Sequence, residues 1–147
     1  MPHNHEWQTR IKTVEREYVA MRQAADRFLK SAIDDPTILL ESLRHREIVR
    51  ASQNLEGTYL MRLFAEFEAG AREYWATQRR SHPKTIDLLN GIAARRGIPL
   101  TPTENAHRVR EYRNSLVHER ESVPRTPSLA AARSHLCIFF NFLPPYW

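Results

Sequence analysis

Arg113, Asn114 and His118 lie close together in the segment RNSLVH, and no other cluster in the chain is better suited to phosphate chemistry. Histidine moves a proton near neutral pH. An arginine fork donates to phosphate oxygens and stabilises the charge that builds on a phosphorane-like transition state. A polar amide can orient the same group. RNA brings its own nucleophile, the 2′-hydroxyl, so these three side chains can cleave a strand without a metal ion or cofactor, and none is expected. The sequence contains neither a C-x-x-C pair nor an H-E-x-x-H pattern.

Spacing constrains how the three can meet. On a helix, Asn114 and His118 share a face. Arg113 and His118 are separated by ~140° of rotation and ~7.5 Å of rise. They can reach one pocket only through the length of the arginine. By spacing alone, two solvated residues on an exposed helix are the alternative. Arg108, Arg110 and Arg120 are candidates for phosphates flanking a scissile bond, and Tyr112 is a candidate for stacking on a base. A solvated face and a core or interface tyrosine are the alternatives. Arg62 and Glu66 sit in a polar stripe with Ala69 and Glu73. Their spacing suits an ion pair that would orient Arg113 or His118, or an ordinary surface pair. His82 and His107 read as surface residues, and His3 and His5 as part of a frayed end.

The elements that must position these residues are helical. Trp7, Ile11, Val14, Tyr18, Met21, Ala25 and Phe28 form a heptad stripe. Asp34-Asp35-Pro36 breaks it, and Asp35 can cap the next helix, with Pro36 in its first turn. Residues 36–80 read as a short helix before a long one, or as one long kinked helix. Its apolar band widens around Leu60, Met61, Leu63, Phe64 and Phe67, so this helix should be central. Residues 79–84 read as a loop and 84–96 as a helix with Ile86, Leu89, Ile92 and Ala93 inward. Gly97 falls just past that helix's end. The connection 96–103 leads to Thr103, an N-cap candidate for a motif helix from Glu104 to Arg120. A histidine near such a helix's C-terminus has its protonated form favoured by the dipole. SVPRTP breaks the chain, and Thr126-Pro127 can start a last helix through Phe142. No strand-like alternation or internal repeat is present. The expected fold is an all-α, up-and-down bundle of four to five antiparallel helices.

Composition agrees with this outline. The chain has 147 residues, four of them glycine, and fits one helical domain over 1–147. The formal charge is +5, and lysine occurs only at 12, 30 and 84. The excess is therefore mostly arginine, which suits an anionic partner such as RNA. The single cysteine, Cys137, lies in the apolar segment LCIFF and reads as core. Neither a signal peptide nor a membrane span is expected, which gives a soluble, cytoplasmic protein.

RNSLVH resembles the signature of the HEPN superfamily, in which Arg, a polar residue, three more residues and His lie on a late helix of a bundle. The stretch NLEGTYLMRLFAEFEAGAREYW, residues 54–75, is similar to the long central helix of such domains. This resemblance implies a metal-independent endoribonuclease that leaves a 2′,3′-cyclic phosphate. It also implies a homodimer whose two motifs face one composite cleft, with a role in toxin–antitoxin, phage-defence or RNA-processing systems. Arg113, Asn114 and His118 would be the active set, and a cognate antitoxin is a possible partner. Some toxins of the superfamily carry a modifiable Tyr two residues after the His; here that position is Arg120. Members that have lost catalysis bind RNA or proteins instead, which is the alternative function.

Overall fold

In the computed structural model, which describes residues 3–39, 43–118 and 127–147, the heptad stripe becomes α1, Asn4–Asp34. Asp35 then caps as expected, its carboxylate accepting the amide of Thr37 at 3.1 Å. The element it opens is only a 3-10 turn, Pro36–Ile38. The long helix comes separately as α2, His45–Gln78, its first turn closed by Glu47 accepting the Arg44 N–H at 3.0 Å. Next come α3, Thr85–Arg96, and Gly97, whose φ of 61° is the left-handed C-cap that glycine adopts without strain.

The motif helix α4, Leu100–His118, starts a turn earlier than expected. Thr103 is not its cap. It is buried inside the first turn, with Oγ1 donating to the Pro99 carbonyl at 3.0 Å. Pro99 and Pro102 look like loop residues, but Pro99 immediately precedes α4 and Pro102 lies in its first turn, where N–H groups have no helical partner and a proline costs nothing. The last helix, α5, spans Leu129–Asn141. Ser128 caps it, accepting the Ala131 N–H at 3.1 Å. Thr126, the expected start, lies outside the described residues, as does Arg120.

Among the described residues these five α-helices are the regular structure, with no strand. Contacts give their directions. Tyr18 meets Glu56 and Arg22 meets Ser52, so α1 and α2 are antiparallel. Arg113 meets Glu68 and Leu116 packs on Gly57, so α4 also opposes α2. Leu129 meets Glu56 and the Phe140 ring stacks on Phe67, so α5 runs with α2. These four make an up-and-down bundle. The expectation of antiparallel neighbours fails for α3. Thr85 sits beside Glu68 and Arg72, while Gly91 and Arg95 sit at Trp75. The 79–84 loop therefore doubles back, and α3 runs parallel to α2.

Leu60, Leu63, Phe64, Phe67, Ala71 and Tyr74 of α2 pack against Ile11, Leu89, Val109 and Phe139 from the other helices in one apolar cluster. On α3, Leu88 joins that cluster while Ile86, expected inward, is 43% exposed. The stripe of α1 is buried only at Trp7, Ile11 and Val14; Met21 and Phe28 are exposed. Beyond Glu56, α1 and α2 continue as a two-helix arm past the last described residue of α4. The apolar C-terminal segment is used within the chain, with Leu136, Cys137, Phe139, Phe140 and Leu143 all buried. No helix among the described residues is long and apolar enough to cross a membrane.

Candidate active site

Arg113 points inward from α4 onto α2. Its Nη2 donates to Glu68 Oε2 at 3.1 Å, and its guanidinium carbon lies 4.9 Å from the centroid of the Phe64 ring. Phe64, Glu68 and Arg72 are spaced four apart, so α2 presents them as one stripe. Oε1 of the same carboxylate accepts from Arg72 Nη2 at 2.8 Å and from the Thr85 hydroxyl at 2.8 Å. Arg72 in turn donates from Nη1 to the Pro83 carbonyl at 3.0 Å. One carboxylate thus ties the motif helix, the central helix and the start of α3 together. Burial works to raise the Glu68 pKa, but the Thr85 and Arg72 hydrogen bonds and the two guanidinium charges outweigh it, and the net shift is downward.

Asn114 is half-buried and His118 is exposed as the last residue of α4. They share a face, as the spacing requires, with His107 and Glu111 further along it. Arg113 faces away from them toward Glu68. The three motif residues therefore lie at one helix end, with Arg113 directed onto α2 and Asn114 and His118 on another face. His118 does not sit in the apolar core. Val117 beside it is 47% exposed.

The supporting residues divide. Arg62 does not pair with Glu66; it pairs with Glu17 of α1 at 2.6 Å and lies over the Tyr59 ring. Its stripe faces α1, and Glu73 on the same stripe accepts the Trp7 indole N–H at 2.7 Å. The carboxylate that meets Arg113 is Glu68, which sequence reasoning missed. The Glu68–Arg72 spacing was a signal, but nothing local pointed to a partner on α4. Tyr112 and Leu116 line an open groove of about 580 Å³ against Gln53, Gly57 and Met61 of α2. Arg108 and Arg110 line another, of about 480 Å³, between α3 and α4.

In that second groove His107, read as a surface residue, is partly buried and bonded on both sides. Arg110 Nε donates to its Nδ1 at 3.1 Å, so Nε2 carries the proton and donates to Asn90 Oδ1 at 2.7 Å. Burial and the neighbouring Arg110 charge lower the His107 pKa, and Glu111 opposes them in part. Arg110 is largely enclosed here, with only 13% of its side chain exposed.

Comparison with protein-family models, curated proteins and solved structures finds no match for this chain.

Proposed function

We propose that this protein is a metal-independent endoribonuclease of HEPN type, acting as a homodimer. The supporting observation is the Arg113 guanidinium, held over Phe64 by Glu68 on the helix that ends in exposed His118. An arginine fixed at that position is preorganised to meet a phosphate without further ordering. Arg113 keeps 26% of its side chain open to solvent, so a phosphate oxygen can reach the guanidinium.

In the reaction, the 2′-oxygen attacks phosphorus and the bond from phosphorus to the 5′-oxygen breaks. The products are a 2′,3′-cyclic phosphate and a 5′-hydroxyl. His118 takes the 2′-hydroxyl proton or supplies the proton to the leaving oxygen, Asn114 orients the phosphate, and Arg113 neutralises the added charge. The separate facing of Arg113 and His118 suits a cleft completed by a second copy, whose own His118 complements Arg113 across a two-fold axis. The cellular setting is a toxin–antitoxin, phage-defence or RNA-processing system, with a cognate antitoxin as partner in the first case.

The test is incubation of wild type, Arg113→Ala and His118→Ala with total RNA, scoring cyclic-phosphate ends. Loss of cleavage in both variants is expected. Equal cleavage by all three sinks the assignment. RNA binding without any cleavage, in wild type as in the variants, would instead fit a non-catalytic RNA-binding module of this fold.

A further inference from the structure

The positive charge of this chain is unevenly placed. Residues 74–103 hold Arg79, Arg80, Lys84, Arg95 and Arg96 against a single carboxylate, Asp87, while the formal charge of the whole chain is +5. This stretch therefore carries nearly all of the excess. The parallel course of α3 brings Arg95 back beside the end of α2 that leads to Arg79 and Arg80, with Lys84 in the loop between. Because the 79–84 loop doubles back, the C-terminal end of α3 returns to the level at which α2 finishes.

Trp75 joins the two cationic segments. Its indole N–H donates to Ser81 Oγ in the loop at 3.2 Å, and Arg95 lies over its ring at 5.9 Å from the centroid. Gly91 lets α3 approach this closely, since a Cβ there would stand 2.7 Å from the ring. Arg79, Arg80, Lys84 and Arg95 are all exposed, and no carboxylate among the described residues pairs with any of them. Four cations without a carboxylate partner along this loop and helix end raise the local potential and attract a polyanion.

The same loop is bound to the motif. The Pro83 carbonyl accepts from Arg72, and Thr85 donates to Glu68, whose other oxygen holds Arg113. From Glu68 to Arg79 along α2 the rise is ~16.5 Å. The loop covers that distance, running from Arg79 and Arg80 to Pro83 and Thr85 at the Arg113 network.

We infer that the α2–α3 loop and the end of α3, pinned together by Trp75, form a docking surface for the phosphate backbone of single-stranded RNA, leading toward Arg113. Arginine predominates, and its fork suits phosphate oxygens. No large apolar side chain is exposed over residues 75–84 or 91–96, whereas a lipid-docking surface inserts apolar side chains. The choice of RNA over another polyanion rests on the endoribonuclease reading; the surface itself does not depend on cleavage.

The experiment uses the full chain with His118→Ala, so that bound RNA stays intact. A fluorescent single-stranded RNA is titrated against this protein and against the same protein with Arg79→Ala, Arg80→Ala and Lys84→Ala, over a range of salt. The expected result is a loss of affinity of about tenfold or more at low salt, and a salt slope smaller by about 2. Removing Lys12, Arg16 and Arg27 of α1 by alanine substitution deletes equal charge elsewhere and is expected to have little effect. Equal losses in both triple variants, or none in the loop variant, overturn the proposal. So does binding to phosphatidylserine vesicles without binding to RNA. Absent cleavage by wild type, with loop-dependent binding intact, would refute the endoribonuclease reading and leave this surface standing.

Discussion

The carboxylate of Glu68 and the guanidinium of Arg113 meet at 3.1 Å across the seam between α2 and α4, and the same carboxylate binds Arg72 and Thr85. Two cations and a hydroxyl on one partly buried anion make Glu68 the residue on which the position of Arg113 depends.

Replacing Glu68 by Gln keeps the shape and removes the charge. The expected cost is about 1–3 kcal/mol of stability at neutral pH, because hydrogen bonds to a charged group are lost from a partly buried site. The folded-state pKa of Glu68 is lowered, so its contribution is present above its ordinary value of 4.5 and is lost as pH falls through the folded value. Urea unfolding of wild type and Glu68→Gln at pH 7 and pH 3.5 should show a gap that narrows in acid. A gap that stays constant would mean that the charge on Glu68 contributes nothing.

His107 gives a pH dependence nearer neutrality. Its pKa in the folded chain lies below the ordinary 6.5, because burial and Arg110 disfavour the imidazolium. The unfolded chain therefore takes up the proton first. Stability is fully present above about pH 6.5 and falls as the solution is acidified toward the folded value. His135 is shifted the same way, by burial and by Arg108, and adds to the slope. Thermal melts between pH 7.5 and pH 5.5 should fall more steeply for wild type than for His107→Gln. Superimposable slopes would refute the role given to His107.

Gly70 lies where α2 passes closest to α1 and α5. A Cβ added there would stand 2.9 Å from both the Trp7 ring and Phe140. Alanine is the better helix former by about 1 kcal/mol, so propensity alone predicts that Gly70→Ala stabilises. Overpacking between two aromatic rings costs about 1–3 kcal/mol and is expected to win. Chemical denaturation of Gly70→Ala decides the sign.

Helical period told which stretches fold as helices and that α2 is central, because the broad band at Leu60, Leu63, Phe64 and Phe67 is a property of sequence alone. It did not tell what covers a face. Met21 and Phe28 continue the stripe of Trp7 and Ile11, yet they lie on the arm, past the last described residue of α4 and the start of α5. Boundaries failed where one residue type serves two purposes. Pro99 and Pro102 punctuate loops, but they also fit a helix start, and here Pro99 flanks α4 and Pro102 sits in its first turn. In the candidate site, Arg113 was marked out in the sequence by its type and setting. Glu68 was not, since its partner lies 45 residues away and the pairing exists only once α2 and α4 have docked. Arg62 and Glu66 had suitable spacing but face α1, where Glu17 competes successfully.

Near the ends of the described chain, Asn4 donates to the carbonyls of Phe140 and Leu143, at sequence separations of 136 and 139 residues. Closing a loop of that size costs about 4 kcal/mol in chain entropy. The α1–α2 hairpin needs only the short turn between them and can form early. The upper half of α1 cannot complete its packing until α5 arrives. During synthesis, Trp7 and Ile11 therefore stay partly uncovered beside α2 until α5 is free to dock. Docking of α5 is the step that closes this end of the bundle over them.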